Sequence, residues 1–227
     1  MFGSPWSAGL GANGSNGIGV LTVVESSAKS RYDGLTLGMN KKFSRGYQFQ
    51  VNYTLSRDLS DDDNERDPFS FRYARVTDLD AEYGYSDLDQ RHRFNGFFLW
   101  QTPGDFNLNV RYSYRSAQPQ SLRPDGTPSQ TPFVSGPSDR IRPDGTIVER
   151  NTGRKDNELS AIDLRLSREF AVGKTVKVEP ILDVFNLANS KNFRRPEVTN
   201  LVFNFDGTVQ SGLGDPRQAQ VGLRVIW

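Results

Sequence analysis

Carboxylates are the residues of this chain best equipped for chemistry. Asp61-Asp62-Asp63-Asn64-Glu65 offers the clustered oxygen ligands that Ca²⁺ prefers. It lacks the EF-hand spacing and that loop's glycine, so a solvated acidic loop is the expectation. A second set is Asp163, Glu179 and Asp183, with Arg165, Lys177 and Arg224, on alternating positions near the C-terminus. Two carboxylates on one cleft wall can serve as acid and base in glycoside hydrolysis. Charged residues on one face of a barrel wall instead pair across neighbouring strands, and that is the expectation here. His92 is the only histidine. A catalytic base needs an oriented partner and a nucleophile, and no Gly-x-Ser-x-Gly elbow lies nearby. It reads as a polar anchor at a strand end. Gly9-x-Gly11-x-x-Gly14 has a dinucleotide-binding spacing, but it follows no strand and opens no helix. With no cysteine, disulfides and thiolate chemistry are excluded. The chain is expected to be no enzyme and to hold no cofactor or metal.

The elements that position these residues are strands. In residues 47–56, Tyr47, Phe49, Val51, Tyr53 and Leu55 alternate with Gln48, Gln50, Asn52, Thr54 and Ser56. Side chains of opposite parity point to opposite faces. Residues 106–115 repeat the pattern, with Phe106, Leu108, Val110, Tyr112 and Tyr114 opposite Asn107, Asn109, Arg111, Ser113 and Arg115. Weaker copies run through 162–167, 176–185 and 218–227, and 94–100 has a mixed second face. Two more are expected over 17–24 and 31–43. That makes about eight strands, most near the ~9–11 residues that cross a bilayer when tilted. Mean hydropathy is −0.61, and no run approaches a transmembrane helix. The net charge of +1 argues against a nucleic-acid partner recruited by bulk basicity.

Ser44-Arg45-Gly46, Thr102-Pro103-Gly104-Asp105 and Ala171-Val172-Gly173-Lys174 read as tight hairpin turns. Between them lie long polar stretches at 58–89, 118–157 and 190–214. Short turns alternating with long loops are the outer-membrane barrel pattern. Phe43, Trp100, Phe170 and Trp227 sit where strands meet the short-turn end, as an interfacial aromatic belt would. Stretch 58–89 holds eleven acids against three bases. Stretch 118–157 contains an echo, Arg-Pro-Asp-Gly-Thr at 123–127 and again at 142–146, expected to cap two short hairpins. Residues 1–16 read as a flexible start with no basic region and no apolar h-region. Such a chain either stays inside the cell or is a piece of something longer.

Four motifs resemble a known family. Gln220-x-Gly222-x-x-Val225-x-Trp227 resembles the signal read by the outer-membrane barrel assembly machinery. Asp183-Val184-Phe185-Asn186-Leu187-Ala188-Asn189, followed by Asn192-Phe193, is similar to the Asn-Leu-Phe-Asn strand end of TonB-dependent receptors, with Ala188 in place of the usual aromatic. Ser30-Arg31-Tyr32-Asp33-Gly34-Leu35 and Asp89-Gln90-Arg91-His92-Arg93-Phe94 resemble the Oar-like, carboxypeptidase-regulatory-domain-bearing branch of that family.

The resemblance covers about residues 30–227 and implies a barrel of about 22 strands with a plugged lumen. Its members import siderophores, cobalamin, glycans or peptides through TonB. With about eight strands, the chain is expected to be the C-terminal third of such a receptor, its plug and TonB box lying elsewhere. The whole of 1–227 is then one all-β, antiparallel barrel portion, either a partial wall or a small closed barrel. Gln48, Gln50, Asn52, Asn107, Asn109, Arg111, Asp163, Arg165, Glu179, Asp183 and Arg224 are expected to face the lumen. The expected partners are outer-membrane lipid, the assembly machinery, TonB through the plug and a small ligand. The expected place is the outer membrane. Two alternatives stand beside this: a self-contained eight-strand outer-membrane barrel with a structural or adhesive role, and a soluble β-sandwich binding module.

Overall fold

The computed structural model describes residues 26–61, 73–75, 80–129, 139–155, 157–192 and 216–227. Its strands are β1 (Ser30–Ser44), β2 (Tyr47–Ser60), β3 (Gly84–Tyr85), β4 (His92–Gln101), β5 (Phe106–Arg115), β6 (Pro119–Gln120), β7 (Gly153–Arg154), β8 (Leu159–Arg168), β9 (Phe170–Val172), β10 (Val176–Phe185) and β11 (Gln218–Ile226). The one helical element among the described residues is a 3-10 turn at Asp80–Glu82. Period-two alternation thus fixes the strand class, as aromatic and β-branched residues on one parity favour a pleated surface.

The long strands pair in the order β1-β2-β4-β5-β8-β10-β11, with β3 added to β2 and β9 to β10. The fold is all-β and antiparallel, and the sheet is open, with β1 and β11 at its edges. The expected strand over 17–24 lies outside the described residues. So do Gly9, Gly11 and Gly14, the flexible start, residues 62–65 of the acidic cluster and most of 190–214.

Turn chemistry explains the short connections. Arg45 and Gly46 both take positive φ, 55° and 82°, as a two-residue hairpin turn of right-handed strands requires. Asp105 takes φ 59° between β4 and β5, and its N–H donates to Thr102 O at 3.0 Å. β8 and β9 continue in one register along β10, interrupted at Glu169. Pro180 lies in the opposing stretch and has no N–H to give the ladder. The expected loop at 58–89 loses its first three residues to β2, because Leu59 and Ser60 pair with β3.

The chain divides into two compact units. One takes the described residues of Met1–Asp33, Arg57–Asp89 and Gln118–Lys155. The other takes those of Gly34–Ser56, Gln90–Ala117 and Asp156–Trp227, and holds most of the long strands.

Candidate functional site

In the second unit the register sorts side chains into an apolar and a polar face. Tyr47, Trp100, Leu108, Leu166, Leu182 and Val221 are successive cross-strand partners, an apolar row over six strands. The next apolar row is Phe49, Phe98, Val110, Leu164, Val184 and Ala219. Between them on the other face runs Gln48, Leu99, Asn109, Arg165, Asp183 and Gln220. Gln50, Asn52, Asn107, Arg111, Asp163, Glu179 and Arg224 have the polar parity too. That face is not purely polar: Phe97 is opposite Gln50 and Arg111, and Ile181 is opposite Ser167 and Gly222.

Charge concentrates at β8, β10 and β11. Arg165 donates from Nε to Asp183 Oδ1 at 2.6 Å and from Nη2 to Oδ2 at 2.9 Å, a bidentate fork. Gln220 Nε2 donates to the same Oδ2 at 3.0 Å from the other side. Asp183, only 5% exposed, therefore ties three strands together. Glu179 is buried, with its Oε2 3.4 Å from Arg224 Nε and without a hydrogen bond. Asp163 faces Arg111 in register, but its carboxylate accepts the Asn186 N–H at 3.0 Å. Lys177 leaves this set and pairs with Glu169 at 3.1 Å.

Burial is inverted relative to a soluble core. Among the described residues the buried hydrophobic set is Leu59 alone, while Ser167, Glu179 and Asp183 are buried. Leu35, Leu37, Met39, Phe98 and Trp100 are exposed, and Val221 reaches 82%. A contiguous exposed apolar face of this extent needs a covering medium, and lipid supplies one. Gly96 lies on this face, where a Cβ would meet the Phe94 ring at 3.2 Å. Its bareness lets Phe94 lie 5.5 Å from the Tyr112 ring.

β11 carries three of the four residues of the assembly pattern. Gln220 faces Asp183, Gly222 faces Ile181 and Val225 faces Val178. Trp227, just beyond the strand, is 90% exposed. Preceding it, Asn186 and Asn189 hold positive φ, 48° and 52°. Asparagine tolerates that region better than other residues carrying a Cβ. Asn186 clasps Ser190 through both backbone groups, at 3.0 and 2.9 Å. Asn189 Oδ1 accepts the Arg217 N–H at 3.0 Å at the entry to β11. The asparagines are thus the turn's geometry, which the motif alone does not reveal. His92 is the anchor expected: its Nδ1 lies 2.8 Å from Tyr53 Oη, and its N–H donates to Ser116 Oγ.

Of the Asp61–Glu65 cluster only Asp61 is described, itself buried, with its carboxylate accepting the Lys29 N–H at 2.7 Å; further along the 58–89 stretch, other acids of the first unit are buried and paired. Glu82 is fully buried and meets the equally buried Arg140, whose Nη2 donates to Oε1 at 2.6 Å and also to Oε2. The Ala74 N–H adds a bond to Oε1. Asp89, also buried, accepts from the Asp58 N–H and from Arg154 Nη1, each at 3.0 Å. Arg57 and Arg154 lie 5.6 and 5.1 Å from the Tyr85 ring. Bases from 140–154 thus neutralise acids from 82–89, a pairing that counting charge along one stretch cannot show. Among the described residues no group of three or more His, Asp or Glu is placed to hold a metal ion.

The two echoed turns adopt one geometry. Gly126 and Gly145 each take φ 83°, and short bridges close at Leu122–Pro128 and Ile141–Ile147. Asp125 accepts from Thr127 Oγ1 at 2.7 Å and its N–H at 2.9 Å, and Asp144 repeats both distances with Thr146. Bonds from Thr127, the hydroxyl first, hold the Asp125 carboxyl below its ordinary value. For Asp144 the Thr146 N–H contributes most, then its hydroxyl. A depressed pKa contributes stability that is full above the unfolded value, roughly 3.9, and is lost as pH falls through the folded one. Hydrogen-exchange protection of the Thr127 and Thr146 amides, corrected for intrinsic rates, should therefore fall below that pH. Protection unchanged down to full protonation would contradict this.

A family model for an outer membrane beta barrel domain matches residues 7–112, just under half of the chain. No curated protein matches, and no solved structure does. That match, with the antiparallel sheet and its inverted burial, places the protein in the outer membrane as a β-barrel component.

Proposed function

We propose that the sheet is a section of the wall of a TonB-dependent, Oar-like outer-membrane receptor that imports a siderophore, glycan or peptide-like ligand. The observation that carries this is an open sheet with one apolar exposed face and one polar, internally paired face. A wide barrel needs such a section: apolar outside, polar and charged towards the lumen. Arg165, Asp183, Gln220, Glu179 and Arg224 then belong to the lumen wall, with Gln48, Asn52, Asn109 and Arg111 further round it. The Asn186–Asn189 turn and the β11 pattern support the family, and the two open edges leave room for further strands. Barrel assembly machinery would engage β11 by strand addition at its free edge.

Two measurements test it. Disrupting the gene should abolish energised uptake of one ligand class, and removing TonB should abolish the same uptake. In detergent, the chain by itself should give no heat-modifiable, protease-resistant band. A compact band of that kind would overturn the wall assignment in favour of the self-contained small barrel. Uptake indifferent to TonB would overturn the transport role.

A further inference from the structure

We propose that the short-turn end of the apolar face carries a binding site for the phosphate of an anionic phospholipid, centred on Arg168. Arg168 has the parity of Ile162, Leu164 and Leu166, and stands opposite Phe106 in register. It is a cation on the face that otherwise meets lipid. Its guanidinium carbon lies 4.9 Å from the Phe106 ring centre and 5.0 Å from that of Phe170. Phe170 shares the face through its partner Val178.

The Arg168 guanidinium has no hydrogen bond or ion pair among the described residues. The adjacent carboxylate, Glu169, is taken by Lys177. A half-buried guanidinium that rests on two rings keeps its donor fork unused, and that fork fits phosphate oxygens in pairs. Lys41 makes the contrast. It also sits on the apolar face near a short turn, 3.6 Å over the Tyr47 ring. Its ammonium is satisfied by Ser44 O, Ser44 Oγ and Tyr47 O.

The charge along the short-turn end of the sheet favours an anionic lipid over a zwitterionic one. On the apolar face or in the turns themselves, Lys41, Arg45 and Lys174 stand against Asp105, while Lys177 and Glu169 neutralise each other. Tilted strands whose aromatics end near Trp100 and Phe170 put this level at the headgroups, where a long basic side chain can reach phosphate.

The inference rests on the membrane placement of the sheet and is independent of what the barrel transports. The test uses the intact protein purified from outer membranes. Phosphatidylglycerol or phosphatidylcholine is titrated in, and retained lipid is counted by native mass spectrometry. Wild type should retain one phosphatidylglycerol in preference to phosphatidylcholine. Arg168→Gln should weaken that retention about fivefold, the usual effect of one basic residue at an anionic surface. Arg168→Lys should keep only part of it, since an ammonium retains the charge but not the fork, and Lys42→Gln, on the polar face, should leave it unchanged. Heat-modifiable migration shows each variant folded. Equal retention by wild type and Arg168→Gln would overturn the site alone. Retention of neither lipid by any variant would overturn the membrane placement as well.

Discussion

Arg140→Ala should cost the loop-bearing unit about 3–5 kcal/mol, because it strips the partner from a carboxylate that water cannot reach. Glu82 is fully buried and Arg140 is 2% exposed. The Ala74 N–H still donates to Oε1, but a single neutral donor does not balance a buried charge. Arg140 Nη1 also donates to Val148 O at 3.3 Å, so the second hairpin loses a tether in the same step. Limited proteolysis should then cut within 139–155 and 80–89 at rates at least tenfold above wild type, while β4, β5 and β8 stay protected. Replacing both partners together, Arg140→Met with Glu82→Leu, should restore much of the loss, since well-packed apolar pairs often substitute for buried ion pairs at little cost. Unchanged cleavage in Arg140→Ala would mean that the pair does not hold the unit together.

What the residues reveal by themselves divides along physical lines. Strand class and face are legible because alternation is a local signal: Gln48 and Phe49 differ in face whatever lies around them. Turn sites are legible for the same reason, and the Pro-Asp-Gly echoes close as the residue types require. Pairing at long range is not legible. Glu82 and Arg140 are 58 residues apart and Asp89 and Arg154 are 65 apart, so an acidic stretch read by itself gives no sign of its partners. The polar wall is an intermediate case. Parity brings Arg165, Asp183 and Gln220 to one face, but only the register makes Asp183 the shared acceptor. Arg168 carries no signal in the sequence because its aromatic contacts need two strand pairings at once.

The sharpest test of which face meets lipid is Leu164→Arg. Leu164 lies midway along β8, flanked by Val110 and Val184 in register, within a row whose six members are all apolar. An arginine at the middle of a lipid-facing strand costs about 2–4 kcal/mol, and the cost falls towards the interfaces. Leu164→Arg should therefore sharply lower the amount of folded, heat-modifiable protein in the outer membrane and shift its urea midpoint downward. The same charge at Gln50, an exposed position of the polar parity opposite Phe97, should shift neither measurably. The difference between the variants is what matters, because on a water-covered sheet an arginine at either position would reach solvent and both effects would be small. Equal effects would remove the distinction between the faces, and with it the lumen assignment of Arg165, Asp183 and Gln220. A large loss confined to Gln50→Arg would reverse the faces and put the paired charges against lipid, where Asp183 and Glu179 would be the most expensive residues of the wall.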